Sequence, residues 1–462
     1  MGKYRRILLL AFVLSAFSLA LIKAASWRVN YGFRLPEQPV QTMSQPLQAT
    51  QPAREIKHRQ RAGYAQASGT NEGRFNTYFA SGKLHTSTHA ASLVELQNGD
   101  IRAFWFSGSR EGAADVTINS AVFDAQRTVW GDEQIVAGRG STQQQLQRYI
   151  AKVGNPLATR AADGSLWLFY VSVSLGGWAG SSVNLMTSND DGVSWSKPRR
   201  LITSPFINIS TLVKSAPFLY ADGTMGLPVY HEFVSKFAEI LRLDKTGRVI
   251  DKQRLAAGGQ GTLQPVVLVR NANEALVLTR YSGANAQRRV IGISTDNGGR
   301  LWSKPTPTAL KNPDAALTAV VLADGKMLAV LNDQEQGRDT LSLQLSEDAG
   351  NTWRVLHTLE DRSDVRDKSM EEPTCLKQVE NLLRSSDAKL RTAGATILAD
   401  HVDSAKARVS IDGGCHFEFS YPYMIQAING DIHLAYTWNR TFIKHVVFDQ
   451  VWLQQRLQEG AK

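Results

Sequence analysis

Cysteine is nearly absent. Cys375 and Cys415 are the two in 462 residues, which excludes a disulfide-rich scaffold. In an oxidising compartment they could pair, or they could stay free. A bridge over so long a loop would mainly restrain a mobile segment. No Cys-x-x-Cys pair and no His-Glu-x-x-His stretch occurs, so no metal site is expected. No glycine-rich phosphate loop lies between a strand and a helix, and the sequence implies no cofactor. No Lys/Arg run is interleaved with aromatics, which argues against nucleic acid as a partner.

Hydrophobic residues make up 43%, enough to build one large core or two average ones. The net charge of +10 fits plain solubility with non-specific attraction to polyanions, or an acidic partner such as an acidic glycan. Lys3, Arg5 and Arg6 precede an apolar run from Ile7 to Ile22. That run is intermediate between a signal-peptide core and a membrane span. Ala24, Ala25 and Ser26 resemble a cleavage site, with Lys23 inside it. Residues 1–25 are therefore read as a cleaved signal peptide or an inner-membrane anchor through residues 4–22. In both cases the bulk of the chain is exported, periplasmic or extracellular, with the basic end cytoplasmic. Pro36, Pro39, Pro46 and Pro52 lie in a Gln-rich, apolar-poor stretch, so 26–75 is read as a linker and 76–456 as the folded domain.

From Asn76 onward short apolar runs alternate with tight turns. Ser92–Leu96 precedes Asn98-Gly99, Leu166–Val173 follows Asp163-Gly164, Thr318–Leu322 and Leu328–Leu331 flank Asp324-Gly325, and Ile432–Thr437 follows Asn429-Gly430. Recurring hairpin signals predict an all-β sandwich, barrel or propeller. A repeat selects among them. Ser188-Asn-Asp190-Asp-Gly192-Val-Ser-Trp195 and Ser346-Glu-Asp348-Ala-Gly350-Asn-Thr-Trp353 share the template Ser-x-Asp-x-Gly-x-x-Trp. Ser294–Trp302, read around Asp296, follows it with one extra residue before Trp302. Weaker copies sit at Phe123–Trp130 and Ser410–Phe417. Asp190, Asp296 and Asp348 are 106 and 52 residues apart. A unit of about 50 residues with one copy skipped has the size of a four-stranded propeller blade. In such a turn Asp accepts backbone N–H bonds, Gly supplies a positive φ and Trp packs between blades, so these aspartates are expected to brace turns. Asp361 to about Val409 breaks the pattern, with Leu376, Val379, Leu382, Leu383 and Leu390 near helical spacing. A helical insertion at 361–409 is expected, as a lid or, by preference, a decorated loop.

The turn resembles the Asp box, or BNR repeat, of the sialidase (neuraminidase) superfamily, and the likeness covers most of Thr88 to Leu453. It implies a six-bladed β-propeller whose arginines clamp a substrate carboxylate, with a tyrosine nucleophile, an activating glutamate and an acid/base aspartate. The stretch from His89 to Asn98-Gly99 is similar to the family's opening segment, with His89 where the first arginine stands. Ser107 to Asp115, with Arg110 inside it, resembles the acid/base loop and makes Asp115 that candidate. Leu263-Gln264-Pro265 and Thr279-Arg280-Tyr281 resemble the glutamate and second-arginine segments, with Gln264 at the glutamate position. Arg338, ahead of Ser346, resembles the third arginine. Tyr421, nine residues before Gly430, resembles the nucleophile, with Tyr423 as the alternative. Val153-Gly-Asn155-Pro, Lys214-Ser-Ala-Pro217, Pro228-Val-Tyr-His231-Glu232 and Ala435-Tyr-Thr-Trp-Asn-Arg440 are similar to signatures of a bacterial sialidase-like group.

The chemistry follows residue by residue. Arg280 and Arg338 are planar, bidentate donors for a carboxylate. Asp115 would protonate the leaving oxygen. A neutral phenol at Tyr421 would attack an anomeric carbon that already carries a carboxylate, and it needs a base. Gln264 cannot be that base, and Glu232 or Glu111 would have to serve. His89 would bind an anion only weakly, and Asn155, His231 and Arg440 complete the expected substrate-binding set. The leading expectation is an exported exo-glycoside hydrolase of sialidase type, acting on an acidic or sialic-like terminal sugar of a glycan or surface polysaccharide. The departures at His89 and Gln264 keep open a non-catalytic carbohydrate-binding propeller, or a scaffold in envelope polysaccharide assembly.

Overall fold

The computed structural model describes Ser15 and residues 31–35, 72–204, 208–255, 261–283, 288–366, 368–409 and 414–459. The signal or anchor segment, apart from Ser15, and most of 26–75 lie outside these. Among the described residues no helix is long and apolar enough to cross a membrane.

Six antiparallel sheets form the blades of a β-propeller. Counting outward from the axis, blade 1 runs Ser87–Glu95, Ile101–Gly108, Thr117–Asp124 and Val129–Trp130, with Gln134–Gly138 also paired to its third strand. Helix α1, Arg139–Leu146, leads to blade 2, which begins on Lys152–Arg160. In blade 3 the inner strand is split into Leu212–Val213 and Phe218–Tyr220, both paired to Met225–His231. Blades 4, 5 and 6 begin on Thr262–Val269, Thr318–Val321 and Phe419–Gln426. Phe75–Phe79, which precedes blade 1 in sequence, is the outermost strand of blade 6 and closes the ring. Within the stretch read as a linker, Phe33–Arg34 pairs with Phe218–Tyr220, and Phe33 is buried against Tyr220 with ring centroids 5.8 Å apart.

Blades pack face to face, so strands with neighbours on both faces are buried without alternation. Ile101–Gly108, Leu166–Val173, Ile432–Trp438 and Phe442–Phe448 are buried at every position. An antiparallel four-stranded blade has two ends. The start of strand one, the end of strand two and the start of strand three share one end. The turn from strand three to strand four lies at the other.

The Asp boxes occupy that second end. The Asp190 carboxylate accepts from the N–H and hydroxyl of Ser194 and from the Ser188 hydroxyl, which holds it down to about 2, while Trp195 Nε1 donates to Gly192 O. Asp348 and Trp353 repeat the arrangement. The Ser294–Trp302 copy is framed one residue later than its sequence suggests. Thr295 and Asn297 take the Ser and Asp roles: Asn297 Oδ1 accepts from Leu301 N, and Gly299 N donates to Thr295 Oγ1. With that frame no extra residue precedes Trp302, and an amide oxygen braces the turn as a carboxylate does. The Ser410–Phe417 copy lies partly outside the described residues.

The insertion forms helices α2 (Glu372–Ser386), α3 (Ala388–Arg391) and α4 (Ala395–Lys406), and a C-terminal helix α5 spans Gln450–Glu459. It is no surface decoration. Cys375, Val379, Leu383, Leu390 and Leu398 share one core with Leu343, Phe419 and Trp438 of blades 5 and 6. Buried Lys444 joins Glu360 to Ser386 of α2. Cys375 and Cys415 are bonded, with Cα atoms 5.5 Å apart and a sequence separation of 40. Closing a loop of that length contributes on the order of 4 kcal/mol through the unfolded chain. A C375A/C415A variant is therefore expected to lose up to about 4 kcal/mol in chemical denaturation. Hydrogen exchange should show the loss first in 372–406, because the bridge closes this segment rather than the blades.

Candidate functional site at the strand-one end

The six inner strands begin alike. Ala90, Asn155, Ser210, Gln264, Asp314 and Tyr421, one per blade, have φ between 45° and 64°. Four of them sit where strand pairing shifts register: His89/Ser92, Gly154/Leu157, Leu263/Val266 and Ser420/Tyr423. Left-handed backbone at non-glycine residues is unfavourable by roughly 1–3 kcal/mol each, and such bulges re-aim side chains. Here they gather Asn155, Gln264, Asp314 and Tyr421 about the axis.

Tyr421 Oη lies 3.2 Å from Gln264 Nε2, which therefore donates to it. Gln264 Oε1 faces Arg280 Nη1 at 3.4 Å. The same amide approaches Tyr230 Oη at 3.5 Å, and Asn155 Nδ2 donates to Tyr230 at 3.2 Å. Burial raises the Tyr230 phenol well above its ordinary value, so it remains neutral. On its other side the Tyr421 ring meets His89, with centroids 4.2 Å apart.

An arc of alternating charge curves around this core. Arg280 Nε pairs with Asp314, Arg338 Nη2 donates to Asp314 O at 2.9 Å and Nη1 to Glu418 at 3.2 Å. Arg440 donates to Glu418 at 2.9 Å and to Glu111 at 2.7 Å. Burial works against Glu418, yet Arg440, His89 and Arg338 hold its carboxyl down to about 2. Three guanidiniums from blades 4, 5 and 6 are thus fixed in orientation while staying partly open to solvent, with side-chain exposures of 14%, 24% and 32%. Lys214 closes the floor. Its Nζ crosses the axis to the main-chain oxygens of Leu317 and Pro422, and burial lowers its amine to about 7.

The remaining candidates lie differently. Asp115 is exposed, and its carboxylate accepts from the N–H and hydroxyl of Ser109 at 2.8 and 2.9 Å; those bonds lower its pKa. Arg110 is exposed and forms no ion pair among the described residues. His231 stacks on Phe237 at 4.6 Å. Glu232 is raised by burial, against the pull of Arg280 and Lys236. Tyr423 is a buried core ring. The insertion flanks the arc at two points: Arg366 pairs with Asp339, next to Arg338, and Arg408 donates to Ser109 O at 2.9 Å.

Asp314 and Glu418 were not singled out from the sequence, while Lys214 and Tyr230 lay inside signature stretches without a role of their own. Asn155-Pro156, Gln264-Pro265 and Tyr421-Pro422 share an X-Pro pair at the start of three inner strands, a signal that marks the inner-strand residues already named and none of these four. Asp314 and Glu418 each precede an inner strand by a few residues and had no motif to mark them. Two clefts, of about 790 and 370 Å3, lie elsewhere. The larger is lined by box residues Asp296, Trp302 and Gly350, and the smaller by the far ends of the inner strands, such as Val269 and Ala427.

Solved structures share the fold. The Hadza microbial sialidase Hz136 superposes with a TM-score of 0.56 at 14% identity, over 78% of this chain and 65% of that one, so the chain spans just under two thirds of its length. A protein of unknown function from Dyadobacter fermentans gives 0.56 at 12% identity, over 81% and 97%. The intramolecular trans-sialidase from Ruminococcus gnavus, solved with oseltamivir carboxylate, gives 0.52 at 11% identity, over 79% and 95%. No curated protein matches. The family model described as "BNR repeat-like domain" matches residues 99–434, well over half the chain, and with six blades, of which blades 2, 4 and 5 carry a box turn, this protein belongs to that family of sialidase-like BNR propellers.

Proposed function

We propose that the protein is an exported glycosidase of sialidase type, which removes a carboxylate-bearing terminal sugar from a glycan or surface polysaccharide. The observation that carries this is Tyr421: its left-handed backbone presents the phenol at the axis, 3.2 Å from Gln264 and beside three oriented guanidiniums. In this reading the Tyr421 oxygen bonds to the anomeric carbon as the glycosidic bond breaks, and its phenolic proton passes to a carboxylate, for which Glu111, held low against its burial beside Arg440, is the remaining candidate. The leaving oxygen takes a proton from a carboxylic acid, and water then releases the sugar from Tyr421. The apolar run behind Lys3, Arg5 and Arg6 supports export.

Two carboxyls compete for the acid/base role. Asp115 is held low by Ser109, which favours a carboxylate with no proton to give. Burial raises Glu232, which favours the protonated form that a general acid requires. Glu232 is therefore assigned the role. Glu232→Gln is expected to lower kcat by about 10²-fold or more, and Asp115→Asn by much less. In the wild type, kcat/KM should fall as pH rises through the raised pKa of Glu232. The reverse order of the two variants would return the role to Asp115. Release of free sugar from a panel of acidic glycosides tests the function itself. The second reading, a propeller that binds glycans without turnover, draws on Gln264, an amide at the tyrosine's side; glycan affinity with no release from any glycoside would establish it.

A further inference from the structure

We infer that Lys214 is a positioning residue for Tyr421: by holding the main-chain oxygen of Pro422 from across the axis, it keeps the strained backbone that presents the phenol. The inference rests on the glycosidase reading and deepens it. Tyr421 and Pro422 lack the support that a strand ordinarily gives. In blade 6 the ladder pairs Ser420 with Thr437 and next Tyr423 with Ala435, so two residues stand opposite Tyr436 alone. Pro422 has no N–H to give, and Tyr421 has a φ of 54°. Backbone of that kind persists only where its surroundings over-determine it. The buried carbonyl of Pro422 must also find a donor outside the ladder, and Lys214 Nζ is that donor.

The donor comes from another blade. The inner strand of blade 3 stops at Val213 and resumes at Phe218, and Lys214 leaves from that gap. Its Nζ donates to Leu317 O at 2.8 Å, just ahead of the inner strand of blade 5, and to Pro422 O. The residue is 7% exposed, and the ring its amine faces is Tyr423, 6.0 Å away. No carboxylate pairs with it among the described residues, and burial alone lowers its amine. A lone buried amine is unfavourable in itself, so its place in the fold depends on the two carbonyls that it satisfies. Charged or neutral, the amine has at least two N–H donors, one for each of them. The groups that would bind substrate have supports of their own. Arg280 and Arg338 rest on Asp314, whose turn is closed by the Asn312 side chain on Ala315 N and O at 3.0 and 2.9 Å. Arg338 and Arg440 share Glu418. Past the bulge, Met424 N donates to Thr318 Oγ1 at 3.2 Å, which anchors the strand but not Tyr421. Loss of Lys214 therefore displaces the nucleophile and leaves the binding groups in place.

The test is kcat and KM for a fluorogenic aryl glycoside of a carboxylate-bearing sugar, read beside the melting temperature. Lys214→Met keeps the length and packing of the side chain and removes both bonds. Its kcat is expected to fall about 10- to 100-fold, as for a small misplacement of a reacting group, with KM within about 3-fold of wild type. Lys214→Gln, which keeps two N–H donors on a shorter stem, should lie between, and it carries the test if the Met variant does not fold. A kcat like that of wild type, a fall in kcat matched by an equal rise in KM, a lower melting temperature with normal turnover, or failure of both variants to fold would each overturn the positioning role and leave the glycosidase reading standing. Wild-type protein that releases no sugar from this or any acidic glycoside would overturn both together.

Discussion

Tyr421→Phe is expected to abolish release of sugar, with kcat reduced at least about 10³-fold, while glycan affinity stays within a few-fold of wild type. In the proposed reaction the lost atom is the nucleophile. The ring that packs against His89 at 4.2 Å remains, and so does the backbone that holds it. The stability lost is that of one hydrogen bond from Gln264, about 1 kcal/mol. Binding and catalysis should therefore separate cleanly in this variant. A fall in affinity that matches the fall in kcat would mean that the hydroxyl binds substrate and attacks nothing.

Gln264→Glu is expected to move activity the other way, raising kcat by about 10²-fold. In the wild type the Gln264 amide donates to the phenol oxygen, so it can orient Tyr421 but cannot take its proton. A carboxylate of the same shape would put an acceptor at that 3.2 Å contact, with Arg280 at 3.4 Å to keep its other oxygen ionised. The left-handed backbone at 264 and the neighbours Asn155 and Tyr230 are unchanged by so conservative a replacement. A slower Gln264→Glu enzyme would show that the amide's N–H is what the reaction uses, and would remove proton transfer at this position from the mechanism.

The fold was legible because its signals are local. A box is eight residues long, and Ser188, Asp190, Gly192 and Trp195 satisfy one another within the turn, so their spacing survives in the sequence. Even there, the blade 4 box was read one residue early, because Asn297 performs an aspartate's task through the same oxygen geometry. The insertion's helices showed in their leucine spacing. That they complete a core with blades 5 and 6 did not, because burial depends on Phe419 and Trp438, which lie beyond the helices in sequence. The site is the least local feature. Gln264, Tyr421 and Asn155 were reached through motif spacing. Asp314 and Glu418 matter only because blade closure sets them between arginines from other blades. Arg440, from the last hairpin, meets Glu111 across 329 positions of sequence, a contact that has no pattern in one dimension.

The most direct measurement is mass spectrometry of the protein after reaction with a fluorinated, carboxylate-bearing sugar that forms the glycosyl–enzyme bond quickly and hydrolyses slowly. One adduct of the expected mass on the peptide that contains Tyr421, absent from Tyr421→Phe and formed faster by Gln264→Glu, is the result expected of a tyrosine nucleophile at the propeller axis. An adduct on another residue, or none from a sugar that the protein demonstrably binds, would contradict it.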